Sequence, residues 1–244
     1  MRYYGKKIEY GVYFPQMCDI YNKKSVNIKD NIVNVLLAAF VIFTILSSLF
    51  SYIYTLSTVI GPSMHPTLNT TGSYNSDTVY VNNNSAISHG DIAVIEKTTY
   101  YVIKRVIALP SDTVDIVEDE NWDGVNANLH YRVLLNGTLL DESGYLNFAL
   151  STTNLYEHYT SFVNYKNANS ERVNPDGSIT IGENEIFVMG DNRTNSEDSS
   201  DNGPYNLSKL LGKVEIIIRY KTGVIEHYNQ KIIGMIKVYL GKVF

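Results

Sequence analysis

Between Asp30 and Asp77 the chain carries no Asp, Glu, Lys or Arg, and residues 32–54 form one apolar run broken only by Asn34, Thr44, Ser47, Ser48 and Ser51. At about 1.5 Å of rise per residue, such a run matches the roughly 30 Å of a bilayer's hydrocarbon core. A helix satisfies its own backbone groups in lipid, so one membrane-crossing helix is expected over residues 31–54. A cleaved secretory signal would have a shorter apolar region, about 7–15 residues, behind a brief basic start and ahead of a small-residue cleavage site. Here some 30 residues precede the run, and bulky Tyr52-Ile53-Tyr54 closes it. An uncleaved anchor is therefore expected. Six basic side chains stand against three acidic ones in residues 1–30, which assigns that segment to the cytoplasm and everything after the anchor to the outside.

The remaining charge narrows the function classes. Residues 31–206 have a net charge of −13 and residues 207–244 of +5. An acidic ectodomain argues against nucleic acid, which needs a basic face. The single cysteine, Cys18, excludes an intrachain disulfide and a cysteine-rich zinc site. The five histidines are scattered, without an H-E-x-x-H pair, so no metal and no cofactor are expected. The basic, apolar tail at residues 231–240 suits lipid contact, a buried strand or a terminal cap.

After the anchor the pattern turns to strands. Residues 78–81, 91–95, 98–108 and 214–220 are rich in β-branched and aromatic residues. Residues 111–184 read as an insertion with hairpin signals at Asn136-Gly137 and Asp176-Gly177. No segment of helical period stands out beyond the anchor. The expected fold is mostly β: a transmembrane helix, then an extracytoplasmic antiparallel, barrel-like catalytic domain with an inserted β-rich subdomain. Its divisions are residues 1–30 (cytoplasmic), 31–54 (anchor), 55–110 (first part of the core), 111–184 (insertion) and 185–244 (second part of the core and tail).

The candidate nucleophile is Ser63, in Gly61-Pro62-Ser63-Met64-His65-Pro66. Two prolines stiffen the turn, and Gly61 allows close backbone approach. Gly-Pro-Ser is also ordinary turn composition, so the serine needs a partner to mean more. A serine hydroxyl requires a base. There is no G-x-S-x-G elbow, and Pro66 stands three residues after Ser63 where a Ser-x-x-Lys arrangement would need lysine. Lys104 is the remaining candidate. On a strand over residues 98–108, alternation puts Tyr100, Val102, Lys104, Val106 and Ala108 on one face. Burial beside Val102 and Val106 would remove the ammonium's proton, which a base must first lose. Arg105 faces the other way and is expected to be structural, and His65 is expected at the rim. An isolated strand lysine is ordinarily a snorkelling surface residue. It is the pairing with Ser63 that points to catalysis.

Residues 61–68, 101–110 and 189–199, the last containing Gly190-Asp191-Asn192-Arg193 and then Ser196 and Asp198, together resemble the signature stretches of type I signal peptidases. These are the membrane-bound Ser-Lys proteases that remove secretory leader peptides. The resemblance implies that Ser63 attacks the scissile carbonyl and that Lys104 is general base and then general acid. It implies that Ser196 hydrogen-bonds and aims the lysine amine, that Asp198 pairs with Arg105, and that Asp191 and Asn192 hold this wall of the site together. Gly61 stands where many relatives donate a serine hydroxyl to the oxyanion, so backbone N–H groups would have to serve. Ser200 stands where relatives commonly carry an arginine, leaving Arg105 as the expected sole cation on Asp198. Val59, Ile60, Met64, Leu68, Val102 and Ile103 become pocket candidates for the small residues of an Ala-x-Ala cleavage signal. The implied partners are secretory preproteins, the lipid bilayer and the neighbouring translocation machinery. A catalytically weakened or narrow-specificity relative serving particular surface proteins is the alternative. A self-cleaving repressor-like protein would need a DNA-binding domain where the apolar run stands, and a non-enzymatic anchored β domain would cut no leader peptide.

Overall fold

The computed structural model describes residues 15–69, 76–122, 124–148, 153–220, 225–227 and 236–238. The chain divides into two units, residues 1–52 and 53–244. The first is dominated by helix α1 (Pro15–Ile53). Within it, Lys29–Ile53 is 25 residues long and apolar enough to cross a membrane. Its large side chains, from Ile32 to Phe50, are all exposed. A helix segment that is apolar all round and exposes its large side chains along this length is suited to lipid. Residues 1–14 of the basic lead lie outside the described residues, as do the side chains up to residue 28.

The second unit is mostly β and holds two antiparallel sheets. The larger sheet contains β1 (Tyr54–Thr58), β2 (Thr78–Asn82), β3 (Ile92–Lys97), β4 (Tyr100–Ala108), β9 (Glu185–Met189), β10 (Tyr205–Asn206) and β11 (Leu210–Ile218). Its strand order is β1-β2-β11-β3-β4-β9-β10, and β12 (Ile225–His227) and β13 (Ile236–Val238) extend it from β11. β1 and β10 end this path without pairing to each other, so the sheet is open and the barrel-like expectation resolves into an open sheet. Only residues 236–238 of the tail flagged in the sequence are described from 231 to 240, and they form β13.

The smaller sheet runs β7-β6-β5-β8, from β5 (Thr113–Glu118), β6 (Tyr131–Leu135), β7 (Thr138–Leu139) and β8 (Ile179–Thr180). Asn136 and Gly137 both have positive φ (52° and 72°), the geometry of a two-residue hairpin turn between β6 and β7. Gly177 turns the chain back towards Asn174, with reciprocal bonds Gly177 N to Asn174 O and Asn174 N to Ser178 O.

Two details depart from the sequence reading. The run at 98–108 starts later, because residues 98–99 make the turn that pairs β4 back onto β3 in the register Lys97 with Tyr100. An unexpected helix, α2 (Tyr156–Ala168), lies between β7 and β8. Its buried positions are His158 and Phe162, four residues apart, with Tyr165 completing one narrow stripe. Apart from Val163 and Ala168 the rest of α2 is polar or aromatic, which hides a helical period in a stretch rich in poor helix formers. Phe162 packs edge-on to Phe187 of β9, with ring centroids 5.5 Å apart. Full burial of such a ring contributes about 1.5–3 kcal/mol and ties α2 to the larger sheet.

Candidate active site

Ser63 lies on the turn between β1 and β2, and that turn is pinned from below. Asn69 and Asp77, both buried, exchange reciprocal bonds: Asn69 N–H to Asp77 Oδ2 and Asp77 N–H to Asn69 Oδ1, each 2.8 Å. Asn69 Nδ2 also donates to the carbonyls of Val59 and Gly61. Arg219 at the end of β11 donates to Thr67 O and Asp77 Oδ2. Gly61 sits at φ 94°, in the left-handed region, yet a Cβ built there would meet nothing within 4 Å. The glycine is needed for its backbone angle. The expected close approach at Gly61 does not occur.

That approach occurs instead at Gly190, after β9. A Cβ there would fall inside contact distance of Ser196 Oγ and of the Ser63 carbonyl oxygen. Asn192 follows, its N–H bonding Ser63 O at 3.0 Å and its Nδ2 bonding Pro62 O at 3.1 Å. The residues after β9 thus clamp the backbone of the Ser63 turn.

Lys104 arrives from β4, and its Nζ lies 2.9 Å from Ser63 Oγ. The lysine is 4% exposed. Burial pushes its ammonium down from the ordinary lysine value, the direction a base requires; Asp198 is the nearest-acting charge opposing that, and Lys97, Glu197 and Asp191 act more weakly. Val106, two positions along β4, is buried, and Val102 lines the groove beside Lys104.

On the opposite face of β4, Arg105 is fully buried. Its partner corrects the sequence expectation. Nε and Nη2 donate to the two oxygens of Asp191 at 2.7 and 2.5 Å, a bidentate pair, and Nη1 donates to Gly90 O. Asp191 also accepts the hydroxyl of Thr67, and the Tyr145 ring stacks 3.9 Å from the Arg105 guanidinium carbon. Asp191 is the next residue after Gly190 on the segment leaving β9, and β9 is paired with β4 in the register Arg105 with Met189. That register brings Asp191 to Arg105, whereas Asp198 is spent elsewhere.

Asp198 caps the short helix α3 (Ser199–Asn202). Its Oδ2 accepts the Ser196 hydroxyl at 2.8 Å and the Gly190 N–H at 2.9 Å. Ser196 therefore donates to Asp198, not to the Lys104 amine as the resemblance implied. Burial alone would raise the Asp198 carboxyl, but the His158 imidazole and the backbone N–H groups of Gly190 and Ser200 outweigh it and hold the carboxyl far below the usual range. Arg193, also fully buried, pairs with Glu142. Three supports thus come from the segment between β5 and β8: Glu142, Tyr145 and His158. Sequence reasoning missed all three, and only the His158–Phe162–Tyr165 spacing signals any of them.

A groove of about 560 Å³ opens beside Ser63 and Lys104, between residues 57–60 and 100–104. Val59, Ile60, Val102 and Ile103 line it. Met64 and Leu68 do not, being 1% and 0% exposed in the core with Val79 and Val94. Leu68 N–H bonds Met64 O at 2.8 Å, so a single helical turn sets both side chains on the inner side. Tyr100 and Tyr101 add exposed aromatic surface to the groove that the sequence reading left out.

Comparison with known proteins follows the same outline. The family model described as "Signal peptidase, peptidase S26" matches residues 31–219. A signal peptidase I P of Bacillus subtilis subsp. natto is 32% identical over 213 residues, covering 82% of this chain and 94% of that protein. The signal peptidase I S of Bacillus subtilis is 28% identical over 194 residues, covering 73% and 85% respectively. A crystal structure of a signal peptidase I from Enterococcus faecalis aligns with a TM-score of 0.33 at 21% identity, over 53% of this chain and 97% of that one.

Proposed function

The chain belongs to the signal peptidase family, peptidase S26, and from that premise we propose that Ser63 and Lys104 are the nucleophile and general base of a membrane-anchored endopeptidase that removes leader peptides after small residues. The protein is single-pass, with its β domain on the extracytoplasmic side. The observation that carries the proposal is the 2.9 Å separation of Lys104 Nζ and Ser63 Oγ, with the lysine buried.

In the proposed reaction neutral Lys104 takes the proton from Ser63 Oγ as that oxygen adds to the scissile carbonyl. The developing oxyanion takes backbone N–H donors of the turn held at Gly61 φ 94°. Collapse breaks the peptide bond, and the lysine passes its proton to the departing amine. Lys104, neutral again, then takes a proton from water as the hydroxide adds to the acyl-serine, and returns it to Ser63 as the acid leaves. An extended substrate in the groove sends alternate side chains to one wall, so Val59, Ile60, Val102 and Ile103 are placed to admit small residues two positions apart. We take residues 111–184 as an inserted unit that braces this core, and residues 55–110 and 185–244 as its two parts. Secretory preproteins emerging near the translocation machinery are the proposed substrates.

The test uses full-length protein in detergent or liposomes and a preprotein with an Ala-x-Ala cleavage site. Ser63→Ala, Lys104→Ala and the double variant should be equally inactive, because two groups that act as one are not additive. Wild-type protein that leaves the preprotein intact, or a Ser63→Ala variant that cuts it, refutes the proposal.

A further inference from the structure

Of the histidines whose side chains are described, His158 alone is buried, at 2% exposed. It reaches in from α2 to the segment after β9. Its Nδ1 lies 2.5 Å from Ser200 Oγ and 3.4 Å from Asp198 Oδ1. Its Nε2 is buried without a hydrogen-bond partner, so the ring's polar contacts are all made through Nδ1. The contacts have a consistent direction. Ser200 donates both its hydroxyl (3.0 Å) and its backbone N–H (3.1 Å) to Asp198 Oδ1, which leaves its oxygen to accept from the imidazole and assigns the ring proton to Nδ1. The other carboxylate oxygen holds Ser196 and Gly190, and Gly190 abuts the Ser63 carbonyl. His158 is thus four contacts from the Ser63 backbone, along a path buried or half-buried throughout.

We infer that His158 is a positioning residue for the Ser63–Lys104 pair, orienting Asp198 through Ser200 and limiting the negative field that Asp198 presents to Lys104. The inference rests on the peptidase reading above. Two arguments support it beyond the contacts. Asp198 is the charge that acts most strongly on Lys104, and it favours the ammonium, opposing the effect of burial. An imidazole held against Asp198, directly and through Ser200, weakens that pull and leaves Lys104 readier to act as a base. The other charge near the imidazole is Asp201, whose carboxylate also lies within 4.8 Å of the ligand atoms of His158 and Asp198. Second, the neutral Ser200 brings Asp198 only hydrogen bonds from its hydroxyl and its backbone N–H. Among the described residues, the one further side chain on that carboxylate oxygen is the imidazole of position 158, on a helix outside the stretches that resemble the family.

The experiment measures kcat/KM against pH on a leader-peptide substrate, with full-length protein. The variants are His158→Ala, His158→Gln, and His158→Ala combined with Ser200→Arg, each with a thermal melt recorded in parallel. Both single variants should move the rising limb to higher pH by about one unit, so that activity at neutral pH falls about tenfold and the deficit closes at high pH. Ser200→Arg should return the limb towards wild type in the His158→Ala background, because it places a cation beside Asp198. A purely structural histidine would lower the melting temperature and leave the limb in place. An unmoved limb in whichever single variants fold, or a neutral-pH kcat/KM within twofold of wild type, overturns the inference. If His158→Ala does not fold, His158→Gln, which retains a donor, supplies the comparison. Wild type that fails to cut, or Ser63→Ala that cuts, removes the peptidase reading and this inference with it. Active wild type with an unmoved limb removes this inference alone.

Discussion

Replacing Asp191 by asparagine tests how the buried wall behind the site is held. Arg105 and Asp191 are both 0% exposed, and the guanidinium gives the carboxylate two short bonds, at 2.7 and 2.5 Å. The amide keeps the shape, removes the charge and turns one acceptor into a donor facing a donor. Removing one partner of a buried ion pair costs about 3–5 kcal/mol, chiefly because the other charge is left uncompensated. For a domain of this size each kcal/mol lowers Tm by about 2–4 °C, so the variant should melt roughly 6–20 °C below wild type. The assay is thermal unfolding of full-length protein in detergent, followed by circular dichroism. A double-mutant cycle sharpens it. Arg105→Met should couple strongly to Asp191→Leu, because removing both charges together is far less costly than removing either alone. Coupling of Arg105→Met to Asp198→Asn should be weaker, since Asp198 spends its oxygens on Ser196, Ser200 and Gly190. The reasoning is refuted if Asp191→Asn melts within 2 °C of wild type, or if Arg105 couples to Asp198 more strongly than to Asp191.

Two further predictions concern the turn and the groove. Gly190→Ala should abolish most activity, because its Cβ has no room between Ser196 and the Ser63 carbonyl, whereas Gly61→Ala should cost only about 1–2 kcal/mol of backbone strain, the space around it being open; peptide cleavage and melting of the two variants side by side check this. Val102→Trp should fill the groove beside Lys104 and lower kcat/KM for an Ala-x-Ala substrate at least tenfold while leaving Tm within a few degrees, because Val102 lines the groove and is only half-buried.

The anchor and the principal strands were legible because their signals are local. A charge-free apolar run needs no partner to be read, and β-branched alternation at 78–81 and 91–95 marks strands wherever they pair. Ser63 and Lys104 were legible as a pair only through the resemblance, since 41 residues and two strands separate them. What the sequence hid are choices among like groups. Asp191 and Asp198 are carboxylates of one short stretch far from Arg105 in sequence, and the β4–β9 register decides for Asp191. Ser196 could point to either Lys104 or Asp198, and the capped turn at α3 directs it to Asp198. Met64 and Leu68 are apolar like Ile60, but the pinning by Asn69 and Asp77 turns them into the core while Ile60 stays 86% exposed. α2 was hidden because its buried stripe is so narrow. With it went the contact from His158 to Asp198.

The central claim is that Lys104 is neutral when it takes the proton of Ser63. Its direct measurement is the titration of the Lys104 side chain by NMR, using lysine labelled with ¹³C at Cε in full-length protein, with the resonance assigned by its loss in Lys104→Arg. Burial disfavours the ammonium, so the folded protein should lose that proton at lower pH than a free lysine, whose pKa is about 10.4. The Lys104 midpoint should lie clearly below those of the exposed lysines in the same spectrum, and it should coincide with the rising limb of kcat/KM. A Lys104 resonance that titrates with the exposed lysines, or above them, would contradict the account.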